Sequence, residues 1–417
     1  IKKKLTKEEL IEFYSQPEQL EILREGGFRK LNIHYAGRVS VECSKEFIYY
    51  YKYVAKELLK EKGFDVSILC LADGDGFIKD MAGNVLNLGL ESCIRSDGIN
   101  IYCVQKEQGS LEKILHKIGK GTTWKNYIAK AGEIAADVYH AHEPQTAFIG
   151  MQIQKNTNAK LIYDAHEPWI FSRSVKEWIL KKLCLPRLKN IITANQITEQ
   201  SLLGEKSDLN TEIIYNCSPS FFVQHQKENK EVIICHEGSL LFNRGLKLII
   251  KALVILKKTH PNFRFRIIGD VFGEEKKFLQ KEITINNLEN NIEITGWLSY
   301  NDVPKKIADC SIGIITNTNE KRNTLAGPPN KLFNYMTMGL AIVTVDLPAT
   351  TTIINETTCG IILQKRNAQL LAKEIQNLLE NTTERKQFQE NALHWAKKKF
   401  NWQSEAEKLF QFYNRLK

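Results

Sequence analysis

The chain has 417 residues, 43% of them apolar and 25% charged, with a formal net charge of +10. That length exceeds one ordinary hydrophobic core and predicts two or three domains, and the composition excludes a disordered chain. No apolar run reaches the roughly 18 residues that a membrane-spanning helix needs, and the lysine-rich start leads into TKEELIEFY rather than an apolar signal core. The nine cysteines are odd in number and widely spaced, and several sit in strand-like runs such as SILCL and EVIICHE. They read as reduced core residues of a cytoplasmic protein, not as disulfides or a zinc site. The positive charge favours an anionic partner without choosing among nucleotide phosphates, nucleic acid and an acidic membrane face.

Residues 1–30 predict a charged helical extension. Short β-branched and aromatic runs then predict strands at 31–36, 64–71, 99–104, 137–141, 160–165, 190–194 and 212–216. The segments between them have helical spacing, the pattern of a parallel sheet wound by helices. A polar stretch with Pro219 and QHQKENK, residues 218–230, reads as a linker. A second series of strands follows at 232–237, 263–269, 291–295, 310–315, 340–345 and 360–363. The fold class expected is therefore α/β, with two Rossmann-like doubly wound domains at 31–220 and 230–400 facing across a cleft. Trp402, Ala406, Leu409, Phe410 and Tyr413 recur at helical spacing and predict a closing helix over 401–417.

Two segments carry candidate chemistry. In GPPNKLFNYMTMG, residues 327–339, the prolines stop any preceding element, Asn330 is a candidate cap and residues 331–338 predict a helix. Asn330 and Asn334 are four apart and share a face. A helix start suits a diphosphate, and an amide one turn in suits ribose hydroxyls; the segment reads equally well as an ordinary capped helix packed through Leu332, Phe333 and Met336. The second segment, Gly238-Ser239-Leu240-Leu241-Phe242-Asn243-Arg244-Gly245, follows a strand and precedes a helix with Leu246, Ile249, Ile250 and Leu253 on one face. Glycines there allow backbone to approach a phosphate, and Arg244 can fork onto its oxygens; a surface arginine in a plain loop is the alternative.

In order and spacing, these segments together resemble glycosyltransferase family 4, retaining enzymes of the GT-B fold. The resemblance rests on the GSL-x-x-x-RG loop, Ile267-Ile268-Gly269-Asp270, the step from Ile292 to Trp297 and PNKLFNYM in the second half. In the first half it rests on DVYHAHEP (137–144), YDAHEPW (163–169) and IIYNCSP (213–219), and the closing helix is similar to one that returns to the N-terminal domain. It implies a sugar taken from a nucleotide-diphosphate donor, UDP more readily than GDP, and passed to a glycan or lipid-linked acceptor. It implies no cofactor and no metal.

The implied roles are as follows. Arg244 faces the diphosphate above the Gly238-Ser239 turn. Asn330, Lys331, Leu332 and Asn334 hold the distal phosphate and ribose, and His142 reaches the transferred sugar, the alternative for it being a cleft-wall histidine. Arg244 and Lys331 stabilise the leaving group, and Glu167 and Trp169 are acceptor-side candidates. Two departures stand out: Asn334 replaces a ribose-binding carboxylate, and Leu240 stands where relatives place a basic residue. These keep a non-catalytic binding protein of the same fold in play, with a UDP-sugar epimerase as a further alternative.

Asp73-Gly74-Asp75 resembles a metal-binding DXD but sits after the wrong strand and reads as a loop. Residues 172–190 combine Lys176, Lys181, Lys182, Arg187 and Lys189 with Trp178, Ile179, Leu180 and Leu183, a helix suited either to an anionic membrane at the inner face or to packing on the sheet. The basic residues elsewhere are dispersed among acidic ones and no nucleic-acid motif is present, which sets nucleic acid aside.

Overall fold

A computed structural model describes residues 29–39, 64–72, 77–79, 85–87, 93–96, 99–105, 107, 109–117, 120–142, 144–165, 175–204, 208–226, 232–298, 301–318, 320 and 327–416. They divide into two compact units: one holds the residues up to Thr193, then 198–214 and those from Ala406 on; the other holds 194–197 and Tyr215–Glu405.

The first unit is built on an eight-stranded sheet. Its strands are β1 (Arg29–Val39), β2 (Phe64–Ala72), β5 (Cys93–Ser96), β6 (Ile99–Gln105), β7 (Val138–His142), β8 (Lys160–Ala165), β9 (Asn190–Thr193) and β10 (Asn210–Ile213), while β3 (Phe77–Lys79) and β4 (Val85–Asn87) form a separate hairpin. The order is β10-β9-β8-β7-β1-β2-β6-β5, parallel except for the edge strand β5. The short strands β3, β4 and β5 were not expected from the sequence, where few β-branched residues mark them.

Helices α1 (Ser110–Lys117), α2 (Thr122–Ile134), α3 (Pro144–Lys155), α4 (Val175–Ile179) and α5 (Gln196–Leu203) follow in chain order, with a π-helical turn at Leu180–Cys184. Trp124, Tyr127, Tyr139 and Tyr163 are fully buried in this unit's core. Two of these tyrosines keep their hydroxyls bonded: Tyr127 donates to Leu69 O at 2.9 Å and Tyr139 to Ala131 O at 3.0 Å. Burial of each ring stabilises the sheet by about 1.5–3 kcal/mol because the polar end carries no desolvation penalty.

The second unit has a six-stranded, all-parallel sheet of β11 (Ile233–Glu237), β12 (Arg264–Ile268), β13 (Ile292–Ile294), β14 (Ile312–Ile315), β15 (Ala341–Val345) and β16 (Gly360–Leu363), in the order β13-β12-β11-β14-β15-β16. Around it lie α6 (Leu246–Leu256), α7 (Gly273–Ile285), α8 (Val303–Ile307), α9 (Asn330–Thr337), α10 (Pro348–Thr357), α11 (Ala368–Glu380) and α12 (Thr382–Lys398). Strands β14 and β15 are buried at every position, as parallel strands covered on both faces are.

The boundary falls at Ile214/Tyr215, ahead of the stretch expected as a linker. Residues 218–226 fold onto the second unit instead. Phe222 is buried in its core, Ser218 Oγ donates to Asn334 Oδ1 at 2.7 Å and Gln226 Nε2 donates to Thr337 O. The last helix, α13 (Trp402–Asn414), has its residues from Ala406 on in the first unit, where Arg415 pairs with Glu212 at 2.8 Å. Leu240 is also fully buried, packed in the second unit's core, so a basic side chain in its place would be desolvated.

Candidate functional site

The strand order of the second sheet reverses at β11 and β14: β12 and β13 lie to one side, β15 and β16 to the other. Loops leaving the carboxyl ends of two such strands diverge and open a crevice, the usual ligand position in a doubly wound sheet. Here the loop after β11 runs Gly238 to Gly245, with a 3-10 turn at Phe242–Arg244, and is tied to the segment after β14. Thr316 Oγ1 donates to Arg244 O at 3.0 Å and Thr318 N donates to Asn243 O at 2.8 Å.

Gly245 has φ 95°, and a Cβ added there would lie 2.3 Å from Thr316 O, so only glycine closes this turn. Arg244 is half-buried and its Nη1 donates to Ser239 O at 3.2 Å, which lays the guanidinium across its own loop. Gly238 and Ser239 therefore stand against the Arg244 side chain.

Helix α9 begins beside this loop. Pro329, not Asn330, occupies the capping position, no side chain caps the helix, and exposed Asn330 is its first residue. The side chain of Leu332 is fully buried and its N–H donates to Pro329 O at 2.8 Å, so this residue belongs to the core rather than to a phosphate contact.

Three contacts dock α9 onto β11. Lys331 Nζ lies 3.1 Å from His236 Nε2, Asn334 Nδ2 donates to Glu237 Oε1 at 2.8 Å, and Glu237 N donates to Tyr335 Oη at 2.8 Å. The Tyr335 ring lies flat on β14 at Gly313, where a Cβ would meet it at 2.4 Å.

The electrostatics follow from burial. Lys331 is buried, and desolvation pushes its ammonium down from the ordinary 10.5 to about 7; Arg244 adds to this, while Glu237 and Cys235 oppose it. His236 is driven well below the usual imidazole range by desolvation first, then by Lys331 and Arg244, with the carbonyls of Ile314 and Ser239 offsetting part. A neutral imidazole and a half-charged amine thus stand beside a guanidinium, an arrangement short of negative charge.

In the first unit the order reverses at β7 and β1, and His142 ends β7 opposite Tyr35. His140, two residues earlier on the same face, is buried with it, and Asp164 from β8 lies between them: Oδ2 is 3.2 Å from His140 Nε2 and 3.4 Å from His142 Nδ1. Tyr413 from α13 reaches His140 Nδ1 at 2.6 Å. Burial, with Asp164 adding, raises the Tyr413 phenol well above its usual range, so it stays protonated and donates to Nδ1. The His140 proton then sits on Nε2, facing Asp164.

Two histidines and a carboxylate at this spacing would suit a transition metal by composition. The two rings, however, stack at 4.4 Å between centroids with planes 13° apart. Planes so nearly parallel meet only far from either ring, so the two lone pairs do not converge on one nearby ion, and the contacts through Asp164 make the cluster a polar chain that holds His142.

His140, Asp164, His236 and Glu237 were not singled out from the sequence, and Tyr413 was read only as a packing position of the closing helix. The alternation in VYHAH, which puts both histidines on one strand face, is the signal that was available for His140. Glu167, Trp169 and Asp73-Gly74-Asp75 lie outside the described residues.

Trp178 is 57% exposed, and Lys181, Lys182, Arg187 and Lys189 are exposed around it, Lys181 pairing with Glu177 at 2.7 Å. Ile179, Leu180 and Cys184 pack inward. Among the described residues no helix is long and apolar enough to cross a membrane, and the described cysteines 184, 217, 235, 310 and 359 are buried thiols outside any disulfide.

Two doubly wound units, each with a polar cluster at a topological switch point, make up the GT-B fold. Residues 218–395, most of the second unit, match the family model described as Glycosyl transferases group 1.

Among similar proteins, the uncharacterized glycosyltransferase MJ1069 of Methanocaldococcus jannaschii is 25% identical over 281 residues, covering 66% of this chain and 67% of that protein. Alpha-D-kanosaminyltransferase of Streptomyces kanamyceticus is 22% identical over 184 residues, covering 44% of this chain and 46% of that protein. A crystal structure of Anabaena Alr3699/HepE in complex with UDP and glucose superposes with a TM-score of 0.69 at 17% identity, covering 93% of this chain and 100% of that one.

Proposed function

We infer that the chain is a retaining glycosyltransferase that takes a sugar from a nucleotide-diphosphate donor, a UDP-sugar in preference to a GDP-sugar, and passes it to a hydroxyl of a glycan or lipid-linked acceptor. The observation that carries this reading is the pairing of Arg244 and Lys331 beside an uncapped helix start at the switch point of the second sheet. A diphosphate supplies the negative charge that this corner lacks, and guanidinium, ammonium and helix N–H groups stabilise it as it leaves, in the place a metal ion takes elsewhere. The UDP bound in the Anabaena protein of the same fold supports the choice of nucleotide.

In this scheme the acceptor attacks from the face the diphosphate leaves, and a phosphate oxygen takes its proton, so no protein nucleophile is needed. His142, oriented by Asp164, contacts the transferred sugar. Glu167 and Trp169 are assigned to the acceptor side. The exposed Trp178 with its lysines supports peripheral contact with an anionic membrane, where a lipid-linked acceptor would be met.

Calorimetric titration of the protein with UDP- and GDP-sugars tests the reading; failure to bind any nucleoside diphosphate overturns it. One observation favours a second reading, a non-catalytic binding protein of the same fold: Asn334 spends its amide on Glu237 and Ser218. Tight donor binding with neither hydrolysis nor transfer across a broad acceptor panel would select that alternative.

A further inference from the structure

His236 is a buried polar group at the second site to which the transfer reaction gives no role. Its ring is fully buried at the end of β11, and Nε2 lies 3.1 Å from the buried Lys331 Nζ. Two bases at hydrogen-bond distance without intervening water share at most one proton, because two cations there would repel in a low dielectric. Arg244, in the loop after β11, is a fixed positive charge bearing on both. The other titratable groups bearing on Lys331 are Cys235 and Glu237 on β11, and these two also bear on the Tyr335 phenol of its own helix. Of these Glu237 is the carboxylate, and Asn334 already donates to it.

We propose that His236 is a positioning residue for Lys331: its neutral Nε2 accepts an N–H of Lys331 and holds that side chain at the start of α9, so that an anionic diphosphate is captured together with one proton. Without ligand, desolvation and Arg244 leave Lys331 near the midpoint of its titration at neutral pH, at about 7. A bound diphosphate brings negative charge to the same corner and restores the ammonium, as an opposite charge within a few ångströms does. The proton comes from solvent and rests on Lys331 Nζ; no bond of the donor is made or broken in this step. The inference rests on the donor-site reading of the second unit.

The test is calorimetric titration of the full chain with UDP-glucose between about pH 6 and 8.5, a window in which that ligand does not change its own charge. It is run in two buffers of different ionisation enthalpy. The binding enthalpy is expected to differ between buffers in proportion to an uptake that approaches one proton at the upper end, and affinity to fall by up to about tenfold per pH unit above pH 7.

His236→Phe removes the acceptor and is expected to weaken binding about tenfold and move the fall to lower pH. His236→Gln, whose carbonyl can accept in its place, is expected to restore most of the affinity. Melting curves of both variants without ligand establish that they are folded, and if the Phe variant is not, the buffer dependence of the wild type and the Gln variant decide the matter. Binding without buffer dependence, or an unchanged pH profile in folded His236→Phe, overturns the proposal and leaves the donor site standing. Failure to bind UDP-glucose, UDP and GDP alike removes the donor site and the proposal with it.

Discussion

Asn334 Nδ2 donates to Glu237 Oε1 at 2.8 Å, so a helix amide fixes a strand carboxylate beside the two cations of the second site. Glu237 is the carboxylate that supports the Lys331 ammonium. Glu237→Gln removes that support, lets Lys331 lose its proton at lower pH, and is expected to weaken UDP-glucose binding by about tenfold at pH 7.5 and by less at pH 6. Calorimetry at the two pH values reads the difference; equal losses at both would show that the carboxylate acts through contact rather than charge.

Arg244→Ala is expected to lower donor affinity and turnover by roughly tenfold to a thousandfold, from a charge-assisted contact worth about 1.5–4 kcal/mol. Arg244→Lys recovers only part, since an ammonium cannot fork across two phosphate oxygens. Unchanged affinity and turnover in a folded Arg244→Ala protein would place the phosphate elsewhere.

The buried Lys331 also sets a pH dependence of stability. Its folded value of about 7 lies below the ordinary 10.5, so between those values the unfolded chain binds more protons and stability rises with pH. The burial penalty is fully present below pH 7 and gone above 10.5. Lys331→Met escapes it, and is expected to melt several degrees above the wild type at pH 6.5, with the gain shrinking toward pH 10. Thermal melts across this range check the slope; a Met variant less stable at low pH would contradict it.

Tyr413→Phe leaves His140 Nδ1 buried without the hydroxyl that now reaches it, and is expected to destabilise the first unit by about 1–3 kcal/mol. Chemical denaturation measures this, and a neutral result would mean that His140 finds another partner.

Gly245→Ala forces a side chain into a positive-φ turn and onto Thr316 O. A loss of about 1–3 kcal/mol or more is expected, together with weaker donor binding because Arg244 precedes it. A melting temperature equal to that of the wild type would show that the loop can relax.

The second half of the chain was legible because its strands are continuous apolar runs buried on both faces, so β11, β12, β14 and β15 fall within a residue or two of their expected bounds. The loop around Arg244 and the helix at Lys331 were legible for a similar reason, since glycine, proline and charge stand out against such runs. Contacts between distant residues were not. His236 and Lys331 are 95 residues apart, and His140 and Tyr413 are 273 apart. Neither histidine looks different in the sequence from an ordinary strand residue. Asn330 looked like a cap because its side chain suits one, but Pro329 has the extended backbone the position needs, φ −66° and ψ 142°, and takes it.

The division of the chain has a consequence for the order in which it is made. A ribosome releases the first sheet early, yet Tyr413 and Arg415, which bond to His140 and Glu212 in that unit, come some two hundred residues later. The second unit, residues 194–197 and Tyr215–Glu405, ends before the helix segment that carries them and can close as it emerges. The N-terminal unit must wait, incomplete along the strands that carry His140 and Glu212, until the final helix has been synthesised. Folding therefore finishes in the reverse of the order of translation, and a stalled or prematurely ended chain would present a finished C-terminal unit attached to an unfinished N-terminal one.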